Sequence, residues 1–123
     1  MASRIGVRPE RIGSTLLVSV SGELDIASAP RVREAVEDGL DDAVRAVVLE
    51  LAGVGFLDSS GLRALIDVAA GCESAGRAFA LASPSSRVER LLGMVGLAER
   101  FTVLGDVAPG SLAELASGGS TAS

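Results

Sequence analysis

Ala46-Val47-Val48-Leu49-Glu50-Leu51, then Ala52 to Gly55, then Phe56-Leu57-Asp58-Ser59-Ser60-Gly61-Leu62-Arg63: a nearly continuous apolar run passes into a polar octapeptide. The apolar run suits a central strand covered on both faces. Ala52 to Gly55 reads as a short Gly-containing connection. From Leu62 to about Ala75 the pattern becomes amphipathic, with Leu62, Leu65, Ile66 and Ala69 on one side and Arg63, Asp67 and Glu73 on the other, which predicts a helix that Gly76 ends. A strand thus delivers two serines to the first turn of a helix, beside a carboxylate and free backbone N–H groups. Two readings of Asp58-Ser59-Ser60-Gly61 follow. Its side-chain oxygens cap the helix, or one serine accepts a phosphate where the helix dipole and free N–H groups favour negative charge.

Outward from that stretch the chain alternates strands and helices. Residues 4 to 9 read as a short edge strand, Gly13-Ser14 as a turn, and Thr15 to Ser21 as a better strand ending at Gly22; the two strands are expected to form a hairpin. Glu23 to Ala27 reads as a loop. A helix follows from Ser28 or Ala29, with Pro30 in its first turn and Val32, Ala35, Val36 and Leu40 on its apolar face, ended by Gly39 to Asp42. Beyond the second helix, Arg77 to Ala82 is expected as a strand. Ser83-Pro84 opens a third helix burying Val88, Leu91, Leu92 and Val95, and Gly96 stops it. Phe101 to Leu104 gives a last strand, and a short helix follows Pro109. The order β-β-α-β-α-β-α-β-α predicts a single α/β domain over residues 1–117, its sheet mostly parallel with an antiparallel first strand. Residues 118–123 are expected to form a disordered tail.

Composition removes many functions. The chain has 123 residues, 48% of them hydrophobic but only 2% aromatic, so its core must be aliphatic. Few aromatics and a net charge of -5 argue against nucleic acid or an anionic membrane as partner. There is no histidine, which excludes Ser-His-Asp and Cys-His catalysis, and all 11 basic residues are arginine, which excludes a phosphate-loop lysine or Schiff base. Cys72, the single cysteine, permits no internal disulfide and suits a buried thiol. The arginines of residues 1–13 interrupt any secretory pattern, and no window approaches the roughly 20 apolar residues of a membrane helix. A soluble cytoplasmic protein that is not an enzyme, with no cofactor or metal of its own, is expected.

Val18-Ser19-Val20-Ser21-Gly22-Glu23-Leu24-Asp25, followed by a strand and then Phe56-Leu57-Asp58-Ser59-Ser60-Gly61-Leu62, resembles the anti-sigma factor antagonist family, part of the wider STAS domain group shared with sulfate transporter tails. Leu91-Leu92-Gly93-Met94-Val95-Gly96-Leu97 followed by Phe101 resembles that family's third helix and last strand. The resemblance runs over about residues 5 to 117. It implies that Ser59 is phosphorylated by a partner that is both anti-sigma factor and serine kinase. The unphosphorylated protein then binds that partner and frees the sigma factor, and a phosphatase resets the switch. ATP and magnesium belong to the kinase. The implied contact surface comprises Gly22, Glu23, Asp25, Asp58, Ser60, Gly61 and Arg63; Asp25 also has a plain reading as a loop residue capping the first helix.

Two rivals bear on this reading. Phosphoacceptor receiver domains are of similar size and place an aspartate at a strand end, but they use a lysine near the end of the last strand and an acidic pair after the first; this chain has no lysine and no adjacent acidic pair after either early strand. A STAS adaptor subunit of a stress-signalling or transport complex, with no sigma factor, shares the fold and remains the alternative. Arg87 and Arg90 read as the solvated face of the third helix.

Overall fold

The structure, a computed structural model, describes residues 5–117. These fold in the order β1 (Ile5–Ile12), β2 (Thr15–Leu24), α1 (Ala29–Gly39), β3 (Ala46–Leu57), α2 (Ser59–Ser74), β4 (Ala78–Ala82), α3 (Ser86–Met94), β5 (Val103–Leu104) and α4 (Pro109–Ala116). One sheet runs β1-β2-β3-β4-β5. β1 pairs antiparallel with β2 through the Gly13-Ser14 turn, and the other pairings are parallel. The α/β class and the antiparallel first strand stand as the sequence implied.

Side-chain alternation along the strands makes two cores. Leu16, Val18, Val20 and Leu24 of β2, Val47, Leu49 and Leu51 of β3, and Phe79 and Leu81 of β4 pack with Val32 and Val36 of α1, Leu65, Val68 and Ala69 of α2, and Val88 and Leu92 of α3. The opposite face carries Leu17, Ala46, Val48, Ala80 and Ala82 under Leu112 and Leu115 of α4. The alanines of β4 leave space for α4 to lie close to the strands. The continuous apolar character of Ala46 to Leu51 is thereby explained: both faces of β3 are covered.

Several boundaries depart from the sequence reading. β3 does not stop at Leu51; it continues through the expected connection to Leu57. Two register shifts against β2 let it do so, between Ser19 and Ser21 and between Gly22 and Glu23, each placing one extra residue on β3. Glu23 and Leu24, expected in a loop, extend β2, and β1 runs on to Ile12. Arg77 precedes β4, its guanidinium donating to the carbonyls of Val44 at 3.0 Å and Asp41 at 3.0 Å. α3 begins at Ser86, not at Ser83-Pro84, because the Ser85 hydroxyl accepts the Val88 N–H and forms the cap.

Helix faces also shift. α2 buries Ala64, Leu65, Val68, Ala69 and Cys72, while Leu62 and Ile66 pack at the edge of the core. Val95, expected inside, is 47% exposed; α3 ends at Met94, and Val95 sits at the C-cap where the chain turns away. The last strand contains only Val103 and Leu104, with Phe101 buried against the Phe79 ring, centroids 6.3 Å apart. The expected tail at 118–123 and the first residue of the expected edge strand, Arg4, lie outside the described residues.

Candidate functional site

Asp58 is the last extended residue after β3, and its carboxylate Oδ1 accepts the backbone N–H groups of Ser60 at 2.9 Å and Gly61 at 3.0 Å. These are donors that a helix start leaves without partners. The cap is therefore the aspartate, not a serine. Ser59 occupies the first helical position, exposed, and its hydroxyl has no hydrogen-bond partner among the described residues. Ser60 is half-buried.

Gly61 presses the first turn of α2 onto the end of β2. A Cβ there would run into the carbonyl oxygen of Leu24 and stand 2.7 Å from Leu57 Cδ1. The same Leu24 carbonyl accepts the Asp58 N–H at 3.3 Å. β2 and β3 are in register at Leu24 and Leu57, so the chain leaves β2 at Asp25 beside the point where it leaves β3 at Asp58.

The loop after β2 is held by a local network. Asp25 Oδ1 accepts the N–H groups of Ala27 at 3.0 Å and Ser28 at 3.1 Å. The Ser28 hydroxyl accepts the Asp25 N–H at 2.9 Å and donates to the Glu23 carbonyl at 2.7 Å. Asp25 thus folds the turn that leads into α1, which is the plain reading of that residue, while standing at the same strand-end surface as Ser59. Gly22 takes a φ of 98°, a conformation open mainly to glycine, at the second register shift. The structure brings Gly22, Glu23 and Asp25 to one end of the sheet with Asp58, Ser59, Ser60 and Gly61.

Arg63 lies one turn beyond Ser59 and is 73% exposed; its Nε donates to Asp67 Oδ1 at 3.2 Å. Arg33 of α1 reaches the other oxygen of the same carboxylate at 3.1 Å. Ser59, Ser60, Arg63 and Arg33 line an open cleft with Ile26, Ala29 and Pro30. Sequence reasoning missed Arg33 and Ile26. Ile26 is 76% exposed beside the candidate acceptor, and an isolated apolar residue between Asp25 and Ala27 was the available signal. A second groove, along β3 and α3, is lined by Phe56, Leu57, Arg87, Arg90, Leu91 and Met94; Phe56 and Met94 are both exposed. Arg87 and Arg90 are exposed on the outer face of α3, as expected, and border this mixed groove.

Among the described residues, no group of three or more His, Cys, Asp or Glu converges as a metal site, and no helix is long and apolar enough to cross a membrane. Cys72, away from this surface, is buried, and burial pushes its thiol up to about 11.

Comparison with known proteins decides the family. A family model described as STAS domain matches residues 7–109. The chain belongs to the STAS domain family. It is 32% identical over 87 residues to the anti-sigma-F factor antagonist RsfB of Mycobacterium tuberculosis, covering 69% of each chain. It is 27% identical over 86 residues to an anti-sigma-B factor antagonist of Staphylococcus aureus, covering 70% of this chain and 80% of that one. The STAS fold seen here is similar to the crystal structure of an anti-sigma factor antagonist from Mycobacterium paratuberculosis. That similarity has a TM-score of 0.75 at 26% identity and covers 90% of this chain and 93% of that one.

Proposed function

We propose that this STAS protein is an anti-sigma factor antagonist that docks on an anti-sigma factor through the strand-end surface and is switched by phosphorylation of Ser59. The carrying observation is the division of labour at the start of α2. Asp58 caps the helix, which leaves the Ser59 hydroxyl exposed and without a hydrogen bond among the described residues. The names of the relatives support the antagonist reading. The contact surface is Gly22, Glu23, Asp25, Asp58, Ser60, Gly61 and Arg63 around Ser59.

The mechanism is electrostatic. The exposed Ser59 hydroxyl and the strand-end side chains around it meet the partner in the unphosphorylated state, and the partner then gives up its sigma factor. Phosphate adds about 1.5 to 2 negative charges beside Asp58 and next to the strand end that carries Glu23 and Asp25. The dipole of α2 tolerates that charge within the fold, so its effect falls on docking. The partner supplies the serine kinase activity together with ATP and magnesium, and a phosphatase removes the phosphate. The chain itself is a binding module and not an enzyme, since it has no histidine or lysine to run the common acid–base and covalent mechanisms.

The test is phosphate incorporation. With its cognate anti-sigma kinase and ATP, the protein gains one phosphate, Ser60→Ala still gains it, and Ser59→Ala gains none. Normal labelling of Ser59→Ala refutes the site. The adaptor alternative predicts instead that a transport or stress-signalling assembly, and no anti-sigma factor, co-purifies with the chain from its own cell.

A further inference from the structure

Ser59, Arg63 and Asp67 are spaced at i, i+4 and i+8 along α2, a single stripe on the helix surface. Arg63 sits between the serine and the aspartate and pairs today with the aspartate through Nε alone. Arg33 reaches across from α1 and touches the same carboxylate through a single Nη. A guanidinium offers five N–H donors in a fork that fits phosphate oxygens, so each arginine has donors to spare. Both line the cleft that holds Ser59.

The pairing Arg63 now makes is the weaker of its two options. On a helix, an anion four residues before a cation interacts better than one four residues after it, because helical side chains lean toward the N-terminus and the helix dipole favours that order. Asp67 follows Arg63; Ser59 precedes it. A phosphate on Ser59 also carries up to two charges against the one of Asp67. We infer that Arg63 and Arg33 form a two-helix clamp for the phosphate of Ser59, taken in exchange for their shared pairing with Asp67. This rests on the reading of Ser59 as the phosphoacceptor and adds how the modified state is held. Phosphorylation would then do more than add charge at one point. It would draw two arginines from the side of α2 toward its N-terminus, removing positive charge from the flank that the partner meets.

Among the other charged groups, Glu37 of α1 lines an adjacent cleft with Arg33 and Asp67. Asp58 is committed to its two backbone donors, Glu23 and Asp25 stand at the end of β2, and Arg31 and Glu34 of α1 line a different cleft with Val7 and Pro9 of β1. The acidic neighbours oppose the phosphate charge, and Arg33 and Arg63 are the cations on the cleft that offset it.

The test installs phosphoserine at position 59 during translation, so no kinase is needed, and follows the phosphorus resonance through a pH titration. The second ionisation of a phosphoserine lies near pH 6. The clamp predicts that Arg63→Gln and Arg33→Gln each raise it, by about half a pH unit for a partly exposed pair, and that the double variant raises it further. Asp67→Asn frees both arginines and lowers it. Values in the arginine variants equal to that of the parent overturn the clamp while leaving the antagonist reading intact. Failure of the kinase to label Ser59 overturns that reading without changing this titration. All three residues are on the surface, and matching melting temperatures confirm that the variants remain folded.

Discussion

Gly61→Ala is the perturbation for which the structure gives the sharpest magnitude. In an open helix position this change stabilises by about 1 kcal/mol, since glycine loses more backbone freedom on folding. At Gly61 the new methyl meets the Leu24 carbonyl, with Leu57 Cδ1 at 2.7 Å and Leu24 Cγ at 2.9 Å. The side chains can turn aside; the carbonyl belongs to a strand end that also accepts the Asp58 N–H. Relief therefore requires the first turn of α2 to lift from β2. Overpacking of this kind costs about 1 to 3 kcal/mol, and the backbone obstacle puts it at the upper end. The net loss is about 2 kcal/mol, or roughly 8 °C in melting temperature for a domain of this size. Gly71→Ala provides the internal control. It lies on the same helix with nothing within 4 Å of the new Cβ, so the same substitution is expected to raise the melting temperature by about 4 °C. Thermal unfolding followed by circular dichroism reads both. A Gly61→Ala protein that melts at or above the parent refutes the close approach of α2 to β2, and with it the placement of Ser59.

Two further outcomes follow from named contacts. Asp58→Ala removes the acceptor of the Ser60 and Gly61 N–H groups and is expected to cost about 1 kcal/mol, with Asp58→Ser recovering most of it; an unchanged unfolding midpoint in urea contradicts the cap. Cys72, its thiol pushed up to about 11 from an ordinary 9.0 by burial, is expected to resist a thiol reagent at neutral pH until the protein unfolds. The neutral thiol is favoured by the fold, so its contribution is complete below about pH 9 and is lost as pH rises toward 11. Replacing Cys72 by alanine should flatten that part of the stability profile, and an unaltered slope there removes the assignment.

The succession of strands and helices along the chain was legible because the patterns were strong. Ala46 to Leu51 announces a strand covered on both faces, and Pro30 and Pro109 mark helix starts. The continuation of β3 was not legible. Ala52-Gly53-Val54-Gly55 has the composition of a turn, and only pairing with β2 through two register shifts keeps it extended. Val95 fits the period of α3 but falls where the helix has already ended. At the site, Asp58 and Ser59 were legible as a local motif, whereas the choice of Asp58 as the cap is set by backbone geometry. Arg33 was invisible because a residue of α1 reaches Asp67 of α2 only after both helices pack on the sheet. Ile26 was read only as part of the loop after β2, and the exposure of Phe56, a residue of the motif itself, is a tertiary property that local pattern does not encode.

In the proposed switch, one phosphate on Ser59 weakens docking on the anti-sigma factor without unfolding this chain. Titration calorimetry of the cognate anti-sigma factor with the protein carrying serine or phosphoserine at position 59 measures it directly, with melting curves of both forms alongside. Tight binding of the unmodified protein, at least tenfold weaker binding of the phosphorylated one, and nearly equal melting temperatures are expected. Equal affinities, or a phosphorylated protein that binds weakly only because it has lost its fold, contradict it.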